Sequence, residues 1–145
     1  MAATCPFCAI AAGEIPSHRV FEDEVQVAFL DIAPIREGHV LIVARDHHAD
    51  FTELPEAVAQ RMLSLGRRIG LLQKRLYGVE RAAFFFTGSD VPHVHAHVVP
   101  MVEKTDVTSR RYIAEPELTF RAPPHASAAE LVAVARRLAE GLAGA

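Results

Sequence analysis

Three histidines alternate with small apolar residues in the run His93-Val94-His95-Ala96-His97-Val98-Val99-Pro100. Period-two alternation marks a half-buried strand, so the spacing predicts that His93, His95 and His97 share one face while Val94, Ala96 and Val98 anchor the other. At a rise of roughly 3.3 Å per residue, neighbouring imidazoles leave the backbone about 6.6 Å apart, a span that suits a phosphate group. Three readings compete for such a row. Imidazoles at i and i+2 can converge on one metal ion; neutral imidazoles can do catalysis near pH 7 without a metal; or the row is a plain solvated face. A second pair, Cys5 and Cys8, is metal-binding, redox-active or incidental, since two cysteines three positions apart make no secreted disulfide framework.

The elements that must position these residues follow from pattern. Residues 5–12 read as a short helical turn carrying both cysteines, ended by Gly13 and then Pro16. Residues 19–21 and 25–31 are β-branched and aromatic runs separated by the acidic turn Glu22-Asp23-Glu24, which predicts a hairpin. A third strand, residues 39–44, contains the unbroken apolar run Val40-Leu41-Ile42-Val43, as expected of a strand covered on both faces.

The spacing predicts the main helix over residues 52–77, with Leu54, Val58, Met62, Leu65, Ile69, Leu72 and Leu76 as its apolar stripe and Pro55 in its first turn. Gly66 and Gly70 weaken a helix, so close backbone packing is expected there, and Gly78 caps the end. Residues 82–87 and the histidine strand complete an antiparallel meander of about five strands, joined through residues 88–92. Residues 101–124 read as an irregular excursion, and Ser127 with Glu130 forms a capping box opening a second helix to about Gly141. The fold class is therefore α+β: an antiparallel sheet of about five strands with one long helix and a C-terminal helix.

Composition sets bounds on function. A chain of 145 residues suits a single domain. Its densest apolar stretch, residues 82–86, falls far short of the roughly 20 residues a membrane span needs. The N-terminus has neither the basic start nor the apolar middle of a secretory signal, so a cytoplasmic location is expected. A net charge of −3 without a basic cluster argues against general nucleic-acid binding, which needs many Lys and Arg contacts to phosphate. A small anionic substrate must then be held locally.

The histidine run fits His-φ-His-φ-His-φ-φ, with φ apolar, at all seven positions, and resembles the histidine-triad (HIT) family of nucleotide hydrolases and transferases. Further agreement lies in Cys5-Pro6-Phe7-Cys8, Gly13 to Pro16, Phe21 to Asp23, Ala28 to Ile32, Gly38-His39 and Val91 to His93, so the resemblance covers residues 4–101, with 102–145 as a C-terminal extension of one domain. It implies that His95 attacks the α-phosphorus, giving a nucleotidyl-histidine that water later cleaves. Neutral imidazole suits this, because its free lone pair needs no separate base once the tautomer is fixed. His97 resembles the histidine that stabilises charge on the phosphate or leaving group, and His39 the upstream histidine that completes the site.

The resemblance also implies that Asp31 accepts the ribose hydroxyls. Phe7, Ile10, Phe29 and Ile32 look like the walls of a base pocket, and plain core is an equally good account of them. Gly88, Ser89 and Val91 are the remaining phosphate-site candidates, in a loop that is short and carries Ser89-Asp90 where relatives often place Gln-Ser. Many bacterial members bind a structural zinc, which maps to Cys5, Cys8, His47 and His93, with His48 as the rival of His47.

Together these imply a hydrolase or phosphoramidase acting on purine nucleotides such as AMP derivatives, with structural Zn2+, no organic cofactor, and a homodimer paired through the main helix and a sheet edge. A nucleotide-binding regulatory protein with little turnover is the alternative. A metal-dependent hydrolase with the triad as ligands ranks third, for want of a carboxylate at ligand spacing.

Overall fold

The computed structural model describes residues 5–107 and 123–144. Most of the excursion expected over 101–124 lies outside the described residues. Helix α1, Pro6–Ala12, stops at Gly13, whose φ of +85° is the left-handed conformation that glycine adopts freely. Strands β1, Arg19–Glu22, and β2, Gln26–Leu30, form the expected hairpin; the Asp23 carboxylate accepts the Val25 and Gln26 amides at 2.9 Å and shapes the turn. Strand β3, Val40–Ala44, is buried along its whole length. Helix α2, Glu56–Tyr77, leads to β4, Arg81–Thr87, and β5, His95–Met101. Helix α3, Ala128–Ala143, opens on the Ser127–Glu130 capping box.

Two features differ from the sequence reading. The main helix does not begin at Thr52. Residues Phe51–Glu53 form a separate 3-10 turn, Leu54 is extended at φ −63°, ψ 131°, and Pro55 is the N-cap of α2. The physical reason is the proline ring, which disfavours helical backbone in the residue before it. The sheet is also not a simple meander, because its order is β1-β2-β3-β5-β4. β5 is the more deeply buried of the last two strands, so it takes the interior position and leaves β4 at the edge. The five strands are antiparallel throughout.

The pleat then sorts side chains onto two faces. Ala28, Leu30, Val40, Ile42, Ala96 and Val98 point to α2 and α3, whose Met62, Leu65, Ile69, Leu72, Val134 and Leu138 complete the main core. Val27, Phe29, Leu41 and Val43 point the other way, under α1, in a smaller cluster with Ala11, Phe7 and Ile10. Close packing at Gly66 is real: a Cβ there would lie 2.4 Å from the Phe84 ring. Among the described residues no helix is long and apolar enough to cross a membrane.

Buried Gln73 on α2 donates to Gly38 O at 2.8 Å and Val98 O at 2.9 Å, tying the start of β3 to β5 from beneath. Gly38 itself has φ +86° and lies against Tyr77, so close that an added Cβ would fall 2.6 Å from the ring. Gly38→Ala is therefore expected to destabilise the fold by about 1–3 kcal/mol through left-handed strain and overpacking, read as a lower urea midpoint at unchanged slope.

Candidate active site

β5 lies between β3 and β4, with His95 opposite Val43 and Thr87, and His97 opposite Leu41 and Phe85. Period-two alternation therefore delivers His95 and His97 to the α1 side, as the spacing predicted. His93 is different. It stands before the strand, and its amide hydrogen-bonds Val91 O at 2.7 Å while the next amide, Val94, takes His48 O at 2.7 Å. The ladder ends at His95 because the residues before it are fastened to the segment after β3 instead.

His95 is 6% exposed, beneath the edge of the Phe7 ring at 4.9 Å. Its Nδ1 lies 2.8 Å from His93 O, and a carbonyl only accepts, so Nδ1 carries the proton and Nε2 the lone pair. That lone pair faces the Thr87 hydroxyl at 2.8 Å. Thr87 Oγ1 is also 2.7 Å from His97 Nε2, and His97 Nδ1 is 2.9 Å from His39 Nε2. At the far end the Ile35 amide donates to His39 Nδ1 at 3.2 Å. With both ends fixed by backbone, one assignment satisfies every bond: Ile35 N–H to His39, His39 Nε2–H to His97, His97 Nε2–H to Thr87, Thr87 O–H to His95, His95 Nδ1–H to His93 O. Three neutral imidazoles thus form one polarised line. Phe85 stacks on His97 at 4.7 Å and 7°, holding its plane.

Asp31 follows β2, and its Oδ2 is 3.8 Å from His39 Nδ1 while Oδ1 accepts the Ala33 amide at 2.8 Å. A carboxylate does therefore accompany the histidines, contrary to the sequence reading. The ligand atoms of Asp31, His39 and His97 lie within 4.8 Å of one another, and in the assignment above the lone pairs of His39 and His97 are taken by N–H donors. The loop bearing Asp31 is anchored by Arg36, which is bidentate to Asp106 at 2.7 and 3.0 Å. Asp31 and His39 also border a cavity of about 390 Å³ running towards Leu131 and Val134 of α3.

Phe7, Ile10 and Phe29 come together under α1, with Phe7 edge-on to Phe29 at 5.8 Å. Ile32 is 56% exposed in the loop after β2, and its carbonyl accepts the Ala126 amide at 2.9 Å. Of the loop candidates, Gly88 packs on Ala49 O, Val91 uses its carbonyl on His93, and Ser89 is exposed with no hydrogen bond among the described residues. None of the three is hydrogen-bonded to His95 or His97. Thr87, Phe85 and Gln73 were missed by sequence reasoning. The hydroxyl ending the otherwise apolar Ala82-Ala83-Phe84-Phe85-Phe86 run was the available signal for Thr87.

The second cluster gathers Cys5, Cys8, His47 and His93, whose ligand atoms all lie within 4.8 Å of one another. His93 Nδ1 is 3.4 Å from both Sγ atoms, and His47 Nδ1 is 3.3 Å from Cys8 Sγ. Ligands at zinc distances of about 2.3 Å for sulfur and 2.0–2.1 Å for nitrogen stand roughly 3.5 Å apart in a tetrahedron, so the donor set fits. His93 Nε2–H donates to Ala44 O at 3.0 Å, which leaves Nδ1 free to ligate. His48 takes no part in the cluster. Burial and the neighbouring Cys5 thiol push the Cys8 thiol up to about 11, a group that a bound cation would deprotonate.

Burial, helped by His39 and His95, pushes the His97 pKa down to about 3, and burial also lowers those of His39 and His93. The unfolded His97 ring takes up its proton near pH 6.5 and the folded ring only near pH 3, so its contribution to stability is complete above pH 6.5 and is lost as pH falls towards 3. The thermal midpoint is expected to drop between about pH 7 and about pH 4.5, and to drop less steeply in His97→Gln.

The HIT domain model matches residues 12–104. The chain is 36% identical over 103 residues to an uncharacterized HIT-like protein of Methanocaldococcus jannaschii, covering 68% of this chain and 80% of that one. It is 33% identical over 98 residues to the adenosine 5'-monophosphoramidase of Schizosaccharomyces pombe, covering 67% and 74%. Among solved structures, a zinc-bound histidine-triad family protein from Mycobacterium smegmatis superposes with a TM-score of 0.72 at 28% identity, over 97% of this chain and 94% of that one. The sheet that presents His95 and His97 and the family match over residues 12–104 agree, and the chain belongs to the HIT domain family.

Proposed function

We propose that the protein is a nucleotidyl hydrolase or phosphoramidase that cleaves AMP-like purine nucleotides at the α-phosphate. The observation that carries this reading is the His95 Nδ1–H bond to His93 O, which leaves Nε2 as a nucleophilic lone pair in a fixed direction. Nε2 forms a bond to phosphorus while the bond from phosphorus to the leaving group breaks, its electron pair departing with a leaving group that takes up a proton from solvent. Water then attacks the phosphorus of the nucleotidyl-histidine and gives up a proton to solvent, while the phosphorus–nitrogen bond breaks and its electron pair returns to Nε2. His97 Nε2–H supplies a hydrogen bond to the oxygen where charge develops. Asp31 binds the ribose hydroxyls, and Phe7, Ile10 and Phe29 cover the base. The phosphoramidase of Schizosaccharomyces pombe supports the substrate class. The burial of His95 favours a second reading, a nucleotide-binding regulator with slow turnover.

Cys5, Cys8, His47 and His93 would hold a structural zinc, which supplies folding energy and no step of the reaction. Ligands of this type persist where thiols stay reduced, in keeping with a cytoplasmic location. We also propose a homodimer through the β4 edge and α2, where Leu63 is 55% and Leu71 42% exposed near β4, the last strand of the sheet. No nucleic-acid or membrane partner enters this reading.

Adenosine 5'-phosphoramidate is the discriminating substrate. Wild type is expected to release AMP over many turnovers and His95→Ala to release none; a single stoichiometric burst from wild type supports the regulator instead. Zinc analysis is expected to give one ion per chain, lost in Cys8→Ala together with several degrees of thermal midpoint, whereas a metal-free wild type removes the zinc proposal. Light scattering is expected to give twice the chain mass, and a monomer refutes the dimer.

A further inference from the structure

We propose that Thr87 is a positioning residue of the active site: its hydroxyl holds the His95 lone pair in register with His97 until a phosphoryl oxygen takes over that hydrogen bond. The inference rests on the reading of His95 as nucleophile and extends it to what keeps the nucleophile in register before substrate arrives. Thr87 sits directly opposite His95 in the β4–β5 ladder, and its Oγ1 bridges the two Nε2 atoms at 2.8 and 2.7 Å. No other group links His95 by hydrogen bonds to the His39–His97 pair among the described residues. A hydroxyl can do this because it donates once and accepts at the same time; an amide or a methyl cannot do both through one atom.

The consequence concerns substrate. Phosphorus can approach His95 Nε2 only if the Thr87 O–H leaves that lone pair, and leaving it without a new acceptor costs a hydrogen bond. A phosphate ester or amide brings an acceptor oxygen on the same atom that Nε2 attacks. The hydroxyl can then turn to that oxygen without losing its proton, and it accepts from His97 Nε2–H until charge develops on the substrate and draws that N–H away. An electrophile without such an oxygen gives the hydroxyl nothing to turn to. Thr87 therefore favours centres that carry an acceptor oxygen on the attacked atom, as a phosphoryl group does, over alkyl electrophiles of similar size.

Thr87→Val keeps the β-branched shape and removes the hydroxyl; Thr87→Ser keeps the hydroxyl. Long-range 1H–15N correlation spectra of the ligand-free proteins read each tautomer directly. Wild type is expected to show the proton on Nδ1 of His95 and on Nε2 of His97 and His39. In Thr87→Val the tautomers are expected to stay, because backbone groups fix both ends of the line, while the 15N resonance of His95 Nε2 shifts as its lone pair loses the O–H donor. Single-turnover cleavage of adenosine 5'-phosphoramidate is expected to slow by about tenfold at saturating substrate, the scale of one lost hydrogen bond. Thr87→Ser is expected to restore both. An unchanged His95 Nε2 resonance in Thr87→Val overturns the inference, as does a shifted resonance with an unchanged rate. Should wild type leave the phosphoramidate intact, the phosphoryl-transfer reading falls and the spectra alone decide on Thr87.

Discussion

The hydrogen bond from His95 Nδ1 to His93 O sets the sense of every other bond in the site. A backbone carbonyl cannot donate, so the His95 proton on this side sits on Nδ1, and the line of bonds runs on through Thr87 to His97 and His39. The Ile35 amide closes the far end with the opposite polarity. A line of three imidazoles fixed by backbone at both ends has no low-cost way to reverse. The lowered pKa values agree with this, because an added proton would force one ring to face a donor with a donor.

Placing that line requires the strands beneath it to be immobile. The unbroken apolar face of β3 and β5 packs on α2, and a single buried amide, Gln73, joins the carbonyls of Gly38 and Val98, the neighbours in sequence of His39 and His97. The bond between His39 and His97 is thus held from the other side of the sheet by a residue that touches neither ring. A buried amide without partners would cost free energy, and its two carbonyl acceptors make its Nε2 tolerable in an otherwise apolar layer.

Much of this was legible in the sequence because it rests on local pattern. The alternation of Val94, Ala96 and Val98 with histidine fixed the strand and its buried face, and Ser127 with Glu130 marked the start of α3. Strand order was not legible, since nothing local says that β5 enters between β3 and β4. The start of α2 was misread because helical periodicity at Leu54 outweighed the effect of Pro55 on its predecessor. Thr87 escaped for a related reason. Its role comes from register across a hairpin, and register depends on a loop, residues 88–92, whose length does not specify it.

The three alternating histidines are one motif in sequence and two chemistries in space. His93 lies just before the ladder, so its ring is free to turn towards Cys5 and Cys8, while its carbonyl stays behind to orient His95. One residue therefore belongs to the thiol cluster through its side chain and to His95 through its backbone. Phe7 makes a second link, since it lies between the two cysteines in sequence and against His95 in space. Any displacement of α1 must move the ring over His95 and break the contacts of Cys5 and Cys8 with His93, the residue that orients it, so the thiol cluster and the small apolar cluster beneath α1 hold one short helix in place.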